Sequence, residues 1–365
     1  VPSLYSSPLL LVISLLMVAV LSSVMTGALR RIAMKRGVLD VPNERSSHNQ
    51  PVPRGGGLSI VFFVLLGVAL LARFSPTEGL WLTNILVTGV LIVVIGLLDD
   101  LFHLKKRIRF TIHILAAVII VLYVGRNLEI IFPRALELTG PVAVILVMLY
   151  VVWNINAYNF MDGIDGLAGM QAVFIGVAAG SIAMFNGNPT LGVVYYLLAA
   201  SSLGFLRWNW QPARIFMGDL GSTFIGVVLA VLGIWGKVTS TVPLTAFFIL
   251  MAVFYTDPTY TVIRKVFERD NPTKTHRDFA FHHAIRRGYS HARVTSAILL
   301  INLLYLLPLA IVAVKLRSVW SLFPLFAAYV PLIAGAVLLK AGQRLDDGQD
   351  PEYIAEKAGK EWQGR

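Results

Sequence analysis

Residues 140–185 read GPVAVILVMLYVVWNINAYNFMDGIDGLAGMQAVFIGVAAGSIAMF. Two apolar runs, 140–155 and 167–185, flank a short polar turn. In that turn Asp162 and Asp165 stand three residues apart, Gly163, Gly166 and Gly169 step between and after them, and Asn156 and Asn159 stand in front. A carboxylate at the centre of a bilayer costs roughly 2.5–3.5 kcal/mol on insertion scales, so acids between such runs belong at the ends of spans. The stretch therefore reads as two membrane spans joined by an acidic turn.

The rest of the chain follows the same pattern. It is 56% hydrophobic and 14% charged over 365 residues, with a mean hydropathy of +0.73 and no cysteine. Apolar runs of about 18 or more residues, each long enough to cross a bilayer, recur along almost its whole length. They are continuous rather than alternating, which excludes a membrane β-barrel. The expected fold class is all-α, a polytopic integral membrane protein of about eleven transmembrane helices. The spans are expected near 8–29, 55–72, 80–98, 109–124, 140–155, 167–185, 190–206, 221–236, 242–263, 294–314 and 319–339. The membrane domain is then 1–340, and 341–365 is a polar cytoplasmic tail.

Charge sets the expected orientation. The first apolar stretch, Leu9 to Val24, has no basic residue before it and is followed by Arg30, Arg31, Lys35 and Arg36. It reads as a retained span with its N-terminus outside. On that orientation 25 of the 31 Lys and Arg residues fall on the inner side, as the positive-inside rule requires. Sixteen of the twenty acids fall there too and a seventeenth, Asp257, lies in the inner half of the span 242–263, although no insertion rule drives them. The net charge of +11 is thereby explained without nucleic acid, and none is expected as a partner. The absence of cysteine excludes disulfides and thiolate metal sites.

Five aspartates stand at inner span ends. Asp99 and Asp100 close the third span in IGLLDD, Asp162 and Asp165 follow the fifth, and Asp219 precedes the eighth in MGDLGSTFIG. Clustered carboxylates repel and call for a cation. Hard oxygen donors without Cys or paired His select Mg²⁺, with Mn²⁺ as the substitute. Such an ion shares its shell with substrate phosphates, so the acids point to a phosphate-bearing substrate. Two basic stations complement them. SSHNQPVPRGGG (46–57) offers His48 and Arg54 before Gly55, Gly56 and Gly57, either a cradle for an anionic head group or an ordinary turn at the membrane. KTHRDFAFHHAIRRGYSHARV (274–294) carries His282 and His283 among arginines, which fits a diphosphate better than zinc or a nucleic-acid duplex.

In order along the chain, LLDD, NAYNFMDGIDGLA, GDLGSTFIG and the His-bearing last loop resemble the polyprenyl-phosphate N-acetylhexosamine-1-phosphate transferases. The resemblance spans about residues 1 to 340. RSSHNQPVPRGGG and the span count look more like the branch that starts O-antigen and teichoic acid than like the peptidoglycan enzyme. A histidine often found shortly before FHH in that branch is absent, since Phe279, Ala280 and Phe281 stand there.

The resemblance implies transfer of a sugar-1-phosphate from a UDP-sugar, UDP-GlcNAc by default, to undecaprenyl phosphate with release of UMP. It implies a bacterial cytoplasmic membrane, an active site facing the cytoplasm and, by analogy, a homodimer. It makes Asp219, with Asp162, the metal side. Asp99 and Asp100 stand beside the lipid phosphate, and Asn159, Asp162 and Asp165 form the uridine and metal-side wall. His48 and Arg54 become candidate substrate contacts, and His282, His283 and Arg264 become diphosphate contacts. The alternatives are the same chemistry on UDP-MurNAc-pentapeptide and, from another class, a cation-coupled transporter.

Overall fold

Long apolar runs have no water to satisfy their backbone groups, so they close those groups internally as helices. The computed structural model describes residues 7–40, 51–102, 106–125, 130–132, 136–138, 140–268, 278–316 and 318–343. Its helices are α1 (Pro8–Arg36), α2 (Leu58–Phe74), α3 (Gly79–Phe102), α4 (Lys106–Val124), α5 (Gly140–Phe160), α6 (Leu167–Phe185) and α7 (Pro189–Asn209). They continue as α8 (Asp219–Val238), α9 (Leu244–Leu250), α10 (Ala252–Phe267), α11 (Ala280–Arg286), α12 (His291–Ile301), α13 (Leu307–Lys315) and α14 (Leu322–Leu338). Two antiparallel ribbons are added: β1 (Leu39–Asp40) with β2 (Val52–Pro53), and β3 (Ile130–Phe132) with β4 (Leu136–Leu138).

The expected spans appear, with two changes of geometry. Eight helices are long and apolar enough to cross a membrane, α12 and α13 counting as one span of 25 residues. A ninth candidate is the pair α9 and α10, and α2 and α14 are apolar helices of 17 residues each. The segment read as one span over 242–263 is bent by 75° between Leu250 and Ala252. The Leu250 carbonyl at the break accepts a hydrogen bond of 3.0 Å from Gln171 Nε2 on α6, so the bend leaves no orphan there. Between α12 and α13 the helix widens over Asn302–Leu306. Pro308 lies just beyond, and a wide turn accommodates its ring and missing N–H.

Helix α8 is the centre of the bundle, with 94% of its apolar window buried. Its glycines explain how neighbours reach it. A Cβ on Gly226 would lie 2.7 Å from Ile155 Cα of α5, and one on Gly96 of α3 would lie 3.1 Å from Leu220 Cα of α8. Small residues of this kind let membrane helices approach closely. By contrast, only 22% of the corresponding windows of α1, α4 and the α12–α13 span is buried, leaving their other faces for lipid.

Candidate active site

The close approach of α3 and α5 to the start of α8 brings three span ends together. Arg109, in the first turn of α4, donates from one Nη1 to Asp219 Oδ2 at 2.8 Å and to Asp99 Oδ2 at 3.1 Å. Asn159, at the end of α5, donates to Asp219 Oδ1 at 3.2 Å and to Ser222 Oγ at 2.9 Å. One turn further back on each helix, Asn156 Nδ2 lies 3.2 Å from His113 Nδ1 and donates to the Val152 carbonyl at 2.7 Å. Asp219 remains open, with 54% of its side chain exposed, while Asp99 is 15% exposed.

Asp162 follows in the turn after α5, where its N–H donates to the Asn159 carbonyl at 3.2 Å. Its carboxyl is pushed well above the usual range, first by burial and then by the negative charge of Asp219. These carboxylates therefore sense each other, and a cation between them would relieve the repulsion. Among the described residues no three of His, Cys, Asp and Glu form a metal cluster. Asp219 and Asp162 are the acidic side chains at this end that could hold a hard ion, one that keeps its waters and completes its shell with phosphate oxygens.

The glycine-rich station meets the same place by a different route. Phe216 N–H donates to the Pro53 carbonyl at 2.8 Å, Gly56 N–H to Phe216 at 2.9 Å and Gly57 N–H to Met217 at 3.0 Å. Residues 53–57 thus run as a backbone partner of the segment leading into Asp219. A Cβ on Gly57 would lie 2.5 Å from Gly221 Cα, so neither chain tolerates a side chain there. Because Gly56 and Gly57 spend their N–H groups on carbonyls, these two do not cradle an anion. Arg54 closes ribbon β1–β2, its N–H reaching the Val38 carbonyl at 3.4 Å. His48 lies outside the described residues, as does the side chain of Asp100 on α3.

The paired histidines sit on α11, and they differ. His282 is 9% exposed, and its ring packs on Phe281 at 4.1 Å between centroids and on Phe279 at 5.8 Å. A Cβ on Gly163 would lie 3.0 Å from His282 Nε2, which sets the imidazole against the turn holding Asp162. His283 is fully buried. Neither of its ring nitrogens reaches a well-formed hydrogen bond among the described residues. Burial and then the charge of Arg286 push its pKa down, so it is a neutral imidazole at neutral pH.

Two other expected site residues are engaged by the fold. Asp165 Oδ2 accepts the Ala213 N–H at 3.0 Å, and Oδ1 lies 3.2 Å from His291 Nδ1. Its carbonyl accepts from Thr295 Oγ1 at 3.0 Å. These contacts tie the 162–166 turn to α12 and to the segment between α7 and α8. Arg264 pairs with Glu268 at 2.7 Å and donates to the Ala341 carbonyl at 3.3 Å, holding the chain just after α14.

Arg109, Ser222 and Asp257 carry little signal in the sequence. Arg109 reads there as one more inner positive charge. Its one distinguishing mark is that Arg109 and His113 lie four residues apart, on one face of a helix that is apolar from Ile114 onward. Asp257 was hidden inside an expected span, and Ser222 looked like an ordinary helix residue.

A model of glycosyl transferase family 4 matches residues 82–237, from α3 through α8. The chain is 32% identical to a Bacillus subtilis (strain 168) protein named probable undecaprenyl-phosphate N-acetylglucosaminyl 1-phosphate transferase, over 86% of this chain and 87% of the relative. It is 30% identical to the decaprenyl-phosphate N-acetylglucosaminephosphotransferase of Mycobacterium tuberculosis (strain ATCC 25618 / H37Rv), over 92% and 90%. It is 31% identical to the undecaprenyl-phosphate alpha-N-acetylglucosaminyl 1-phosphate transferase of Escherichia coli (strain K12), over 72% of each. With the carboxylates of separate spans gathered at one end of the bundle and relatives matched over most of their length, the chain belongs to glycosyl transferase family 4, among the polyprenyl-phosphate N-acetylglucosamine-1-phosphate transferases.

Proposed function

We propose that this multi-pass membrane protein transfers N-acetylglucosamine-1-phosphate from UDP-N-acetylglucosamine to undecaprenyl phosphate. The observation that carries the reading is the Asp99–Arg109–Asp219–Asn159 network, which joins four helices at one end of the bundle. The relatives' names supply the sugar and the lipid, and they favour N-acetylglucosamine over a muramyl-pentapeptide donor. The site end faces the cytoplasm of a bacterial inner membrane, a reading supported by the concentration of basic residues there.

In the reaction, an oxygen of the lipid phosphate forms a bond to the β-phosphorus of the nucleotide sugar. The bond from that phosphorus to the bridging oxygen breaks, and its electron pair leaves with UMP. A phosphate ester has a second pKa of about 6 and is already mostly ionised near neutral pH, so no strong base is needed. Catalysis is then positioning and charge stabilisation. Arg109 brings a cation to the developing charge and fixes Asp99 and Asp219 relative to each other. Asn159 holds the other Asp219 carboxylate oxygen, and Ser222 Oγ in turn holds Asn159. Asp99 and Asp100 lie on the acceptor side, and His282 meets the diphosphate from across the Asp162 turn. Mg²⁺, with Mn²⁺ as a substitute, is the cation we propose; Asp219 and Asp162 would hold it, and it would neutralise phosphate charge.

The test is UMP release by purified, detergent-solubilised protein given a panel of UDP-sugars. Release from UDP-N-acetylglucosamine that depends on added undecaprenyl phosphate is expected. Release without the lipid, or only from another UDP-sugar, would overturn the assignment.

A further inference from the structure

We propose that Asp257 is a positioning residue for His282. The proposal rests on the reading above, in which His282 meets the diphosphate.

Helix α11 is seven residues long, too short to hold its place by its own hydrogen bonds. The residue before it, Phe279, offers no side-chain cap. The first N–H groups of a helix need acceptors, and here they come from another helix. Asp257 Oδ1 accepts the Ala280 N–H at 2.8 Å and Oδ2 accepts the Phe281 N–H at 3.3 Å. The carboxylate is 6% exposed and also takes a hydrogen bond of 3.4 Å from Thr261 Oγ1.

Asp257, Thr261 and Lys265 recur every four residues on α10 and form one polar stripe. Lys265, fully buried, makes an ion pair with Asp278, two residues before α11. The Asp278 carbonyl accepts the Gly342 N–H at 2.6 Å, which ties the same point to the end of α14. The stripe therefore fixes α11 at its entrance. Its placement is what sets His282 Nε2 beside Gly163 and hence beside the Asp162 turn. A single-oxygen cap could satisfy one of the two adjacent N–H groups; the carboxylate satisfies both and fixes the direction of the helix as well as its start.

Four variants test this in the full-length protein: Asp257→Ala, Asp257→Asn, His282→Ala and the Asp257→Ala/His282→Ala double. Two readouts are taken, UMP release and hydrogen–deuterium exchange of peptides covering 278–286 and 219–238. Asp257→Ala is expected to lower kcat/KM by about 10- to 100-fold, the range typical of groups that orient a functional side chain. The double variant is expected to lose no more than His282→Ala alone, because both changes remove the same function. Exchange should rise in 278–286 and stay unchanged in 219–238. Asp257→Asn keeps one acceptor oxygen and should fall between wild type and Asp257→Ala, which keeps the test open if the alanine variant does not fold.

Additive losses in the double variant, or faster exchange in both peptides, would overturn the proposal in favour of general destabilisation. So would unprotected amides at 280–281 in the wild type. Full activity of His282→Ala would remove the function Asp257 is said to serve while leaving the transferase reading intact. Wild-type protein without UMP release would instead fail the transferase reading, and the exchange data would still decide whether Asp257 caps α11.

Discussion

Arg109 Nη1 stands 2.8 Å from Asp219 Oδ2, and the same nitrogen reaches Asp99 at 3.1 Å. One guanidinium thus spans two carboxylates from different helices. Arg109→Ala is expected to lower the rate of UMP release by about 10²- to 10³-fold, the range seen when one preorganised donor is removed from a developing anion. Arg109→Lys keeps the charge and loses the planar fork, so it should recover only part of the rate. Wild-type kinetics for Arg109→Ala would remove it from the mechanism.

The divalent cation proposed at Asp219 and Asp162 would make activity sensitive to chelation. Excess EDTA should abolish UMP release, Mg²⁺ should restore it, and Mn²⁺ should restore it in part. Asp219→Ala should be inactive at any Mg²⁺ concentration while its thermal midpoint stays close to wild type, because the side chain is half exposed. Activity that survives chelation would contradict the metal assignment.

Gly57 and Gly221 meet backbone to backbone, with 2.5 Å between an added Cβ on Gly57 and Gly221 Cα. Neither partner is the far end of a flexible side chain, so the backbone itself must move. Gly57→Ala is expected to destabilise the protein by about 1–3 kcal/mol, as overpacked sites do. Because the shift falls on the segment entering Asp219, UMP release should fall as well. A thermal midpoint equal to wild type would show that this packing is looser than described.

His283 gives a pH dependence with a definite sign. Its imidazole is buried and neutral, with a pKa below its usual value, so the unfolded chain binds the extra proton first. The stability this contributes is present above the unfolded pKa of about 6.5 and is lost as pH falls toward the depressed folded value. Thermal midpoints should therefore drop between neutral and mildly acidic pH. His283→Phe, which cannot titrate, should show a shallower drop; an unchanged slope would argue against this residue as the cause.

Arg264 separates two readings of one side chain. The family resemblance makes it a diphosphate contact, while its geometry clamps Glu268 and the Ala341 carbonyl. Arg264→Ala is expected to speed hydrogen exchange around 338–343 and to change kcat more than the KM for UDP-N-acetylglucosamine. A large rise in KM with unchanged exchange would return it to the substrate.

Much of this protein is written in its hydropathy. Apolar runs too long for anything but spans, with nearly all charge at their ends, dictate a helical membrane bundle, because a polar backbone in lipid has no other solution than internal hydrogen bonds. The same rule placed Asp99, Asp162 and Asp219 at span ends and left them free to converge. Packing could not be read so directly. Gly57 reads as part of either an anion cradle or an ordinary turn at the membrane, and only its contact with Gly221 shows which backbone it lets approach. His282 and His283 are neighbours in sequence, yet helix phase turns one toward Gly163 and buries the other. Arg109 and Asp257 looked like a topology charge and a span residue until their partners, Asp219 and the Ala280–Phe281 amides, came from 110 and 23 residues away. The sequence by itself determined which residues lie at the membrane surface, since solvation is a local property of each segment. Which of them meet was decided only by tertiary structure, because hydrogen bonds and ion pairs require proximity within a few ångströms that helix crossing, not composition, provides.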